Sequence, residues 1–294
     1  MRLPKETIIM KYVVVTGAST GIGRGCVKVL SEKGFHVFGS VRKQADADSL
    51  TQEFGDKVTP LIFDTTDEQA VTAGAAKAKE IMGSATLSGL VNNAGIAVTG
   101  PLMHVPIDEL RHQLEVNTIA PVIVSQAFLP LLGAVNPPLQ NPGRIINISS
   151  LAGVTAMPFV GPYAASKHAL EAISGSLRQE LMMYGIDVII IGPGSVATPI
   201  WDKAEHVDSS QYSDTDFKQP LEIMGNLMSE LGLKGIAVEK VGELVHHTIT
   251  TAKPKVRYTI VPNRLRDWII PQNLPLRLLD KIVGSKLGLK KLGT

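Results

Sequence analysis

The chain has 294 residues, 44% of them hydrophobic and 19% charged, and its formal net charge at pH 7 is +2. A chain of this length can bury one large core, and so small a charge gives no reason to expect a nucleic acid as partner. Cys26 is the single cysteine, which excludes an internal disulfide, and the histidines show no spacing typical of metal ligands, so no metal is expected.

Predicted strands and helices alternate along the whole chain. Residues 12–16 form a short β-branched run typical of a buried parallel strand, and stretches with helical spacing of apolar residues separate it from later runs. Parallel strands require crossovers of this kind. The pattern predicts a single α/β domain with a doubly wound, seven-stranded parallel sheet and helices on both faces. The seven predicted strands are 12–16, 36–41, 58–63, 89–91, 143–148, 187–191 and 258–261.

A glycine-rich segment, residues 17–23, follows the first predicted strand and precedes a predicted helix. Strand, glycine-rich turn and helix together present backbone N–H groups and a helix N-terminus to a phosphate. The spacing is Gly-x-x-x-Gly-x-Gly and differs from the general dinucleotide fingerprint, so a turn that binds no nucleotide is the alternative. The predicted contacts of a dinucleotide are Gly17, Ser19, Thr20, Gly21, Ile22 and Gly23.

Tyr163 and Lys167 stand four residues apart in a predicted helix, with Ser149 and Ser150 shortly upstream. Residues at this spacing share one helix face, so the ammonium lies close to the phenol. A phenol normally has a pKa near ~10, and a neighbouring cation lowers it toward the range that a general acid or base needs. A serine hydroxyl alongside could hold a carbonyl or alcohol oxygen. Taken alone, the pair could equally be a surface tyrosine over a solvated lysine.

Five ordered motifs make the chain resemble the short-chain dehydrogenase/reductases over nearly its whole length. Its overall pattern is most similar to the branch that contains retinol dehydrogenases and 17β-hydroxysteroid dehydrogenases. The resemblance implies a single-domain Rossmann fold. The motifs are the cofactor loop Thr16-Gly17-Ala18-Ser19-Thr20-Gly21-Ile22-Gly23, then Asn92-Asn93-Ala94-Gly95, Asn117 in Glu115-Val116-Asn117, Ser149-Ser150 with Tyr163-Ala164-Ala165-Ser166-Lys167, and Pro193-Gly194-Ser195-Val196-Ala197-Thr198.

The resemblance also implies a role for each of four catalytic residues. Tyr163 would exchange a proton with the substrate oxygen while Ser150, favoured over Ser149 by its spacing to the tyrosine, hydrogen-bonds the same atom. Lys167 would lower the pKa of the phenol and hold the nicotinamide ribose, and Asn117 would bend its helix and position a water. The further cofactor contacts implied are Asp64, Thr65, Asn93, Ala94, Gly95, Tyr163, Lys167, Pro193, Gly194, Val196 and Thr198.

The end of the second predicted strand bears on which nicotinamide cofactor binds. An acidic side chain usually stands there when the cofactor carries no 2′-phosphate, but here Val41 is followed by Arg42 and Lys43. A guanidinium can hold a ribose 2′-phosphate through paired, charge-assisted hydrogen bonds. We therefore predict NADP(H) as cofactor, with Arg42 and Lys43 among its contacts. The alternative is an arginine that only covers the adenine face.

Residues 199–233 are predicted to form a lid over the substrate crevice. The segment is rich in apolar residues, including methionines, and lacks the cationic cluster that a phosphate or coenzyme A group would need. Such a lid suits a bulky hydrophobic carbonyl or alcohol that is steroid-, retinoid- or lipid-like, although a lid that merely packs on its own domain fits equally. The predicted substrate contacts are Ser150, Met157, Phe159, Tyr163 and Trp201.

Two functions of different classes are compatible with this sequence. The first is an NADP(H)-dependent oxidoreductase, with an NAD-dependent dehydrogenase of a smaller hydroxy compound as its variant. The second is a non-catalytic, NADP(H)-sensing binding or scaffold protein that keeps the fold without turnover. The presence of all four implied catalytic residues favours the enzyme.

Partners other than the substrate are expected on two surfaces. The resemblance implies a homodimer or homotetramer, because in this family the catalytic helix and the preceding long helix, here including Arg111 and residues 112–123, typically meet a symmetry mate. The face of the catalytic helix concerned carries Ala169, Ala172, Ile173, Ser176, Leu177, Glu180 and Leu181. Residues 262–294 are basic and amphipathic. We expect this segment to pack on its own domain or on a sister subunit, and the alternative is that it lies on an anionic membrane surface. Because residues 1–11 lack a long apolar stretch, the predicted location is cytoplasmic, with peripheral membrane attachment as the alternative.

Overall fold

The computed structural model describes residues 10–198 and 209–292. These residues form a seven-stranded sheet in the order β3-β2-β1-β4-β5-β6-β7, and every pair of neighbours is parallel. The predicted doubly wound α/β fold is confirmed, and each predicted strand is present with bounds that differ by at most two residues at either end. The strands are β1 Lys11–Val15, β2 Phe35–Val41, β3 Val58–Ile62, β4 Leu87–Asn92, β5 Arg144–Ile148, β6 Asp187–Pro193 and β7 Arg257–Ile260.

Helices connect these strands and cover both faces of the sheet. They are α1 Gly21–Glu32, α2 Gln44–Phe54, α3 Glu68–Met82, α4 Ile107–Leu114, α5 Ala120–Leu132, α6 Gly161–Glu180, α7 Lys218–Leu233, α8 Val238–Thr250, α9 Ile270–Asn273 and α10 Leu276–Lys286. A π-helical turn, Glu115–Ile119, joins α4 to α5, and a second one, Leu265–Ile269, precedes α9.

A hydrophobic core lies on each face of the sheet. In β1, Val13 and Val15 face the core formed with α1, α2 and α8, whereas Val14 faces the core formed with α3 and α5. A central parallel strand is buried on both sides, which explains its continuous apolar run. Cys26 packs in the first core, where burial raises the pKa of its thiol to about 12. This cysteine is therefore a core side chain.

The helical stretch Ile107–Leu132 is the one in the described part of the chain that is long and apolar enough to cross a membrane, with a mean hydropathy of 1.3. Core helices of soluble proteins have the same properties. Here the α5 part of the stretch packs Val124, Phe128 and Leu132 into the second core. Packing on the sheet thus accounts for the apolar residues of the α5 part of this stretch.

A third apolar cluster joins the predicted lid to the C-terminal segment. Phe159, Tyr212, Leu221, Met224 and Leu287 are all buried in it, so α7 and the end of α10 pack on the loop that precedes α6. The C-terminal segment therefore packs partly on its own domain. The remaining part of the predicted lid, 199–208, lies outside the described residues.

Candidate active site

The carboxyl ends of the parallel strands lie at one edge of the sheet, and the order in which successive strands are added reverses between β1 and β4. Ligands of doubly wound sheets bind at this switch point. Asn93 and Ala94, which follow β4, both donate backbone hydrogen bonds to Thr16 Oγ1, at 2.9 and 3.0 Å. The Asn93 side chain donates to the carbonyls of Thr16 and Gly17. Two predicted cofactor segments are thereby tied together.

The glycine-rich loop after β1 has the geometry of a phosphate cradle. Gly17 and Gly21 have φ angles of +65° and +56°, which favour glycine, and a Cβ on Gly23 would lie 2.1 Å from the Gly17 carbonyl oxygen. Helix α1 starts at Gly21, and its N-cap residue Thr20 makes no side-chain capping hydrogen bond. The first N–H groups of the helix therefore face outward without a side-chain acceptor from Thr20, and the loop fits the pyrophosphate of a dinucleotide.

Arg42 and Asp64 lie together at the carboxyl ends of β2 and β3. The Arg42 side chain is 69% exposed, and its Nη1 atom lies 4.0 Å from Asp64 Oδ2. Hydrogen bonds from the Thr66 backbone and hydroxyl, together with Arg42, outweigh burial and lower the pKa of the Asp64 carboxyl. An ionised carboxylate thus orients a guanidinium that remains open to an anion. Lys43, the N-cap residue of α2, is exposed beside them.

Ser150, Tyr163 and Lys167 form one cluster between β5 and α6, in which Lys167 is buried and the other two residues are half-buried. The Ser150 hydroxyl is hydrogen-bonded to the Tyr163 phenol, and Lys167 Nζ lies 5.8 Å from the centre of the tyrosine ring. Lys167 Nζ donates a hydrogen bond of 2.8 Å to the Ile148 carbonyl at the end of β5. Among the described residues, the buried Ser149 hydroxyl finds no hydrogen-bond partner. Of the two serines, Ser150 is therefore the one that contacts the phenol.

The expected lowering of the Tyr163 pKa is not found. Burial raises the pKa of the phenol, and the hydrogen bond with Ser150 opposes this only in part. Lys167 points its ammonium at the Ile148 carbonyl, and burial lowers the pKa of this lysine to about 8 against the opposing charge of Glu171. The phenol is thus protonated at neutral pH, as a proton donor must be.

Asn117 lies in the π-helical turn between α4 and α5, so the helix is irregular at this residue, as expected. Its side chain accepts a hydrogen bond from Ile96 N at 2.9 Å and donates to Ile96 O and Ser166 Oγ, at 3.0 and 3.1 Å. Ser166 in turn belongs to α6, one residue before Lys167. Asn117 therefore fastens the segment after β4 to the catalytic helix. Because both amide hydrogens are donated to protein groups, a water held by this residue would have to bind its backbone or the second lone pair of Oδ1.

A family model described as short chain dehydrogenase matches residues 11–208. An NADPH-dependent 3-dehydrocapnine reductase of Ornithobacterium rhinotracheale is 43% identical over 93% of this chain and 96% of its own length. The chain belongs to the short-chain dehydrogenase/reductase family.

Other similarities agree with the predicted branch. Retinol dehydrogenase 5 of Mus musculus is 30% identical over 92% of this chain and 87% of its own length, so the chain falls in the retinol dehydrogenase-like branch. A short-chain dehydrogenase/reductase from Burkholderia phymatum, solved in complex with NAD, covers 93% of this chain and 95% of its own with a TM-score of 0.74. At 21% identity that likeness supports the fold alone.

The remaining predicted cofactor residues of this family member lie at the same sheet edge. Thr65 follows β3, Gly95 follows β4, and Pro193 ends β6. Gly194 N donates to the Ile260 carbonyl at 2.9 Å, which ties this segment to β7. Val196 and Thr198 continue the same loop, Val196 buried and Thr198 half-buried.

The predicted substrate contacts are only partly brought together. Met157 is half-buried in the loop before α6. Phe159 is 6% exposed, with φ +66°, and packs edge-on against Phe217 at 6.0 Å between ring centroids. Its side chain thus belongs to the lid cluster. Trp201 lies outside the described residues.

Two residues that shape the cofactor loop belong to none of the motifs recognised in the sequence. Ser40 accepts hydrogen bonds from Gly17 N at its hydroxyl and from Ala18 N at its carbonyl, at 3.2 and 2.9 Å. Arg24 donates to the Ser19 carbonyl and to Glu53 on α2. A serine inside an apolar strand was the available signal for Ser40. Arg24 looked like any charged helix residue.

Proposed function

We propose that the protein is an NADP(H)-dependent oxidoreductase that transfers hydride between the nicotinamide and a bulky hydrophobic carbonyl or alcohol. The observation that carries the proposal is the Ser150–Tyr163–Lys167 cluster at the carboxyl edge of the sheet, next to a loop shaped for phosphate. A binding or scaffold protein has no chemical need for a phenol, a serine hydroxyl and a buried lysine at one point.

The proposed reaction uses each of these groups at a stated atom. Bound NADPH supplies the hydride. The Ser150 hydroxyl and the Tyr163 phenol hydrogen-bond the substrate oxygen, and the phenol gives it a proton as negative charge develops. The Lys167 ammonium offers its hydrogen bonds to the nicotinamide ribose, and its positive charge stabilises the phenolate left behind. These interactions strengthen as charge develops, which is where catalysis is gained.

Reduction is the proposed direction at neutral pH. The raised pKa of the Tyr163 phenol keeps the proton on the oxygen that has to donate it. Oxidation of an alcohol would require the phenolate, which burial disfavours in the protein without cofactor. The name of the 43% identical relative is that of an NADPH-dependent reductase, in agreement with this direction.

The substrate is proposed to be hydrophobic because of what surrounds the cluster. Adaptable, uncharged side chains are proposed to line the substrate pocket: Met157 is half-buried in the loop before α6, and the same loop contributes Phe159 to the apolar cluster with Leu221 and Met224. The relatives named above include a retinol dehydrogenase. The test is the rate of NADPH oxidation, followed by the loss of its absorbance, with long-chain, cyclic and short ketones and aldehydes. Turnover that prefers short, polar carbonyls would contradict the substrate proposal.

Replacing Arg42 by alanine is expected to weaken NADPH binding about 10- to 100-fold, the value of a charge-assisted hydrogen-bonded contact, and to leave NADH nearly unchanged. The reason is that the exposed guanidinium at the end of β2 would meet the 2′-phosphate, which only NADPH carries. Fluorescence titration with both cofactors measures the effect.

Arg42→Lys is the matched control for this experiment. It keeps the charge but loses the paired donors, so NADPH affinity should fall between the wild type and Arg42→Ala. Equal losses for NADPH and NADH would contradict the assignment of Arg42 to the 2′-phosphate.

A homodimer or homotetramer is the proposed assembly, and its proposed interface is smaller than the sequence indicated. Ala172, Ser176 and Glu180 are exposed on the outer face of α6, but Leu181 is buried and Leu177 packs against the second core. The exposed Ile119, from the preceding helix, extends the apolar surface. We expect light scattering at micromolar concentration to give at least twice the mass of the chain.

Peripheral membrane contact is the proposed alternative use of the C-terminal segment. Leu276, Leu278 and Ile282 are exposed on α10, with Arg277 and Lys281 beside them. Basic amphipathic helices of this kind bind anionic lipid surfaces. A monomer that cosediments with anionic but not neutral vesicles would favour the membrane over the sister subunit.

A further inference from the structure

Arg257, the first residue of β7, connects the catalytic residues to the C-terminal segment. Its Nε and Nη2 atoms each donate a 3.0 Å hydrogen bond to the Glu171 carboxylate, and Nη2 also lies 3.4 Å from the Ser150 carbonyl oxygen. Its guanidinium carbon lies 4.9 Å from the centre of the Trp268 ring. With 21% and 14% of the Arg257 and Glu171 side chains exposed, the pair is largely shielded from water.

Glu171 lies on the same face of α6 as the two catalytic residues. It follows Lys167 by four residues and Tyr163 by eight, a spacing that stacks the three side chains along the helix. Within the described residues, the titratable and charged groups around Lys167 are Tyr163 and Glu171 from α6 and, beyond Glu171, Arg257 from β7. Glu171 is therefore the negative charge that Lys167 experiences, and Arg257 offsets part of it.

The same carboxylate supports the turn that carries Ser150. A short 3-10 turn, Leu151–Gly153, follows Ser150, and a Cβ on Gly153 would lie 3.0 Å from Glu171 Oε1 and 2.6 Å from Ser149 Oγ. The backbone of this turn thus packs directly on Glu171. Arg257 holds the turn from the other end, through its contact with the Ser150 carbonyl.

We propose that Glu171 and Arg257 are positioning residues for the reaction: the ion pair holds the Ser150 turn in place and sets the electrostatic environment of Lys167, and Trp268 couples the pair to the C-terminal segment. This inference rests on the function proposed above for the same site. It concerns groups that act through Ser150 and Lys167 and need not touch the substrate.

The two partners should have opposite effects on Lys167. Glu171→Gln removes the neighbouring negative charge, so the Lys167 ammonium loses its proton at lower pH. Arg257→Gln removes a positive charge and leaves the Glu171 charge uncompensated, so the ammonium keeps its proton to higher pH. A pair that served only to hold the fold would give loss of stability in both variants without opposite shifts.

The experiment measures the NADPH dissociation constant by fluorescence between about pH 6 and pH 10, a range that spans the Lys167 titration and requires no turnover. Because the ammonium is proposed to hold the ribose, affinity should fall above a midpoint near the Lys167 pKa of about 8. We expect the midpoint to move down in Glu171→Gln and up in Arg257→Gln, by about half a pH unit or more, and to return near the wild-type value in the double variant.

Three further variants separate positioning from folding. Arg257→Lys keeps the charge but loses the fork, so its midpoint should stay near that of the wild type while kcat falls severalfold. Trp268→Leu should shift the midpoint in the same direction as Arg257→Gln, but less. Lys28→Gln, which breaks an exposed ion pair to Glu239 of 3.1 Å between α1 and α8, should leave the midpoint unchanged.

Shifts of the same sign in Glu171→Gln and Arg257→Gln, or no shift in variants that still unfold cooperatively on heating, would overturn the inference. Failure of the proposed function has a different signature. Binding of NADPH without turnover of any carbonyl would contradict the substrate proposal alone, and the midpoints would still decide the role of the ion pair. A wild type that does not bind NADPH would overturn both.

Discussion

Tyr163→Phe is expected to lower turnover of the best carbonyl substrate at least about 100-fold, since general acid catalysis contributes ~10²–10⁴ to a rate. The variant keeps the aromatic ring and removes only the phenolic oxygen, which is hydrogen-bonded to Ser150. NADPH should therefore bind with nearly unchanged affinity. Initial rates of NADPH oxidation and a fluorescence titration with the same preparation measure the two effects.

Tyr184→Phe is the control for this experiment. Tyr184 packs against the core formed with α3 and α5, so its hydroxyl has no part in the proposed chemistry. The control should keep wild-type rates. If Tyr163→Phe also kept near wild-type rates, the proton donor would be another group and the proposed mechanism would be wrong.

The pH profile provides an independent check on the role of Tyr163. Because burial raises the pKa of the phenol, the reductive rate should not decline through loss of its proton anywhere below that raised value. An alkaline decline near pH 8 would instead report Lys167, whose pKa is about 8. The two groups can be distinguished because loss of the Lys167 proton should also weaken cofactor binding at the same pH, whereas loss of the Tyr163 proton should not.

Features encoded by local pattern were predictable from the sequence. The β-branched run of β1 and the regular alternation of strands and helices led to the correct parallel sheet, because burial on both faces leaves a continuous apolar signature. Strand ends in a parallel sheet share an edge, so the positions of Gly17, Ser150 and Pro193 after predicted strands already indicate one crevice.

Features that depend on contacts between distant residues were not predictable. The pair Glu171–Arg257 joins residues 86 positions apart, and neither residue belongs to a motif. The predicted direction of the Tyr163 pKa shift was wrong. Helix spacing determines which residues share a face, whereas the burial that raises this pKa is determined by the whole fold. Leu181 was assigned to an outer helix face, but the helix ends at Glu180 and a 3-10 turn directs Leu181 into the core.

Lys167→Met is expected to combine loss of function with a gain of stability. The ammonium is proposed to hold the nicotinamide ribose and to stabilise the phenolate, so the variant should lose both turnover and most NADPH affinity. Folding, however, removes this ammonium from water, which costs free energy. Burial accordingly lowers the pKa of Lys167 from 10.5 to about 8. Methionine fills a similar volume with a flexible, uncharged chain.

The pH dependence of that gain follows from the binding of one proton. Between about pH 8 and 10.5 the unfolded chain holds the lysine proton more tightly than the folded protein, so wild-type stability rises with pH in this window. Below pH 8 the wild type carries the full cost of the buried charge, roughly 3 kcal/mol. Lys167→Met removes this cost but also loses the hydrogen bond to the Ile148 carbonyl, which lowers the gain in stability by about 1 kcal/mol. Denaturant unfolding without cofactor should therefore show Lys167→Met to be more stable at pH 7, with the difference shrinking toward pH 10.

Lys28→Met is the matched control, because Lys28 is exposed and its pKa is raised by Glu239, first through their hydrogen bond and then through their charges. It should show no gain at pH 7. A Lys167→Met protein that is less stable than the wild type by the same amount at pH 7 and pH 10 would mean that the ammonium is not held at a cost. In that case the buried Lys167 ammonium would not lower the stability of the folded protein, and the proposal that stability is lost in order to keep a cofactor-binding charge at the active site would be wrong.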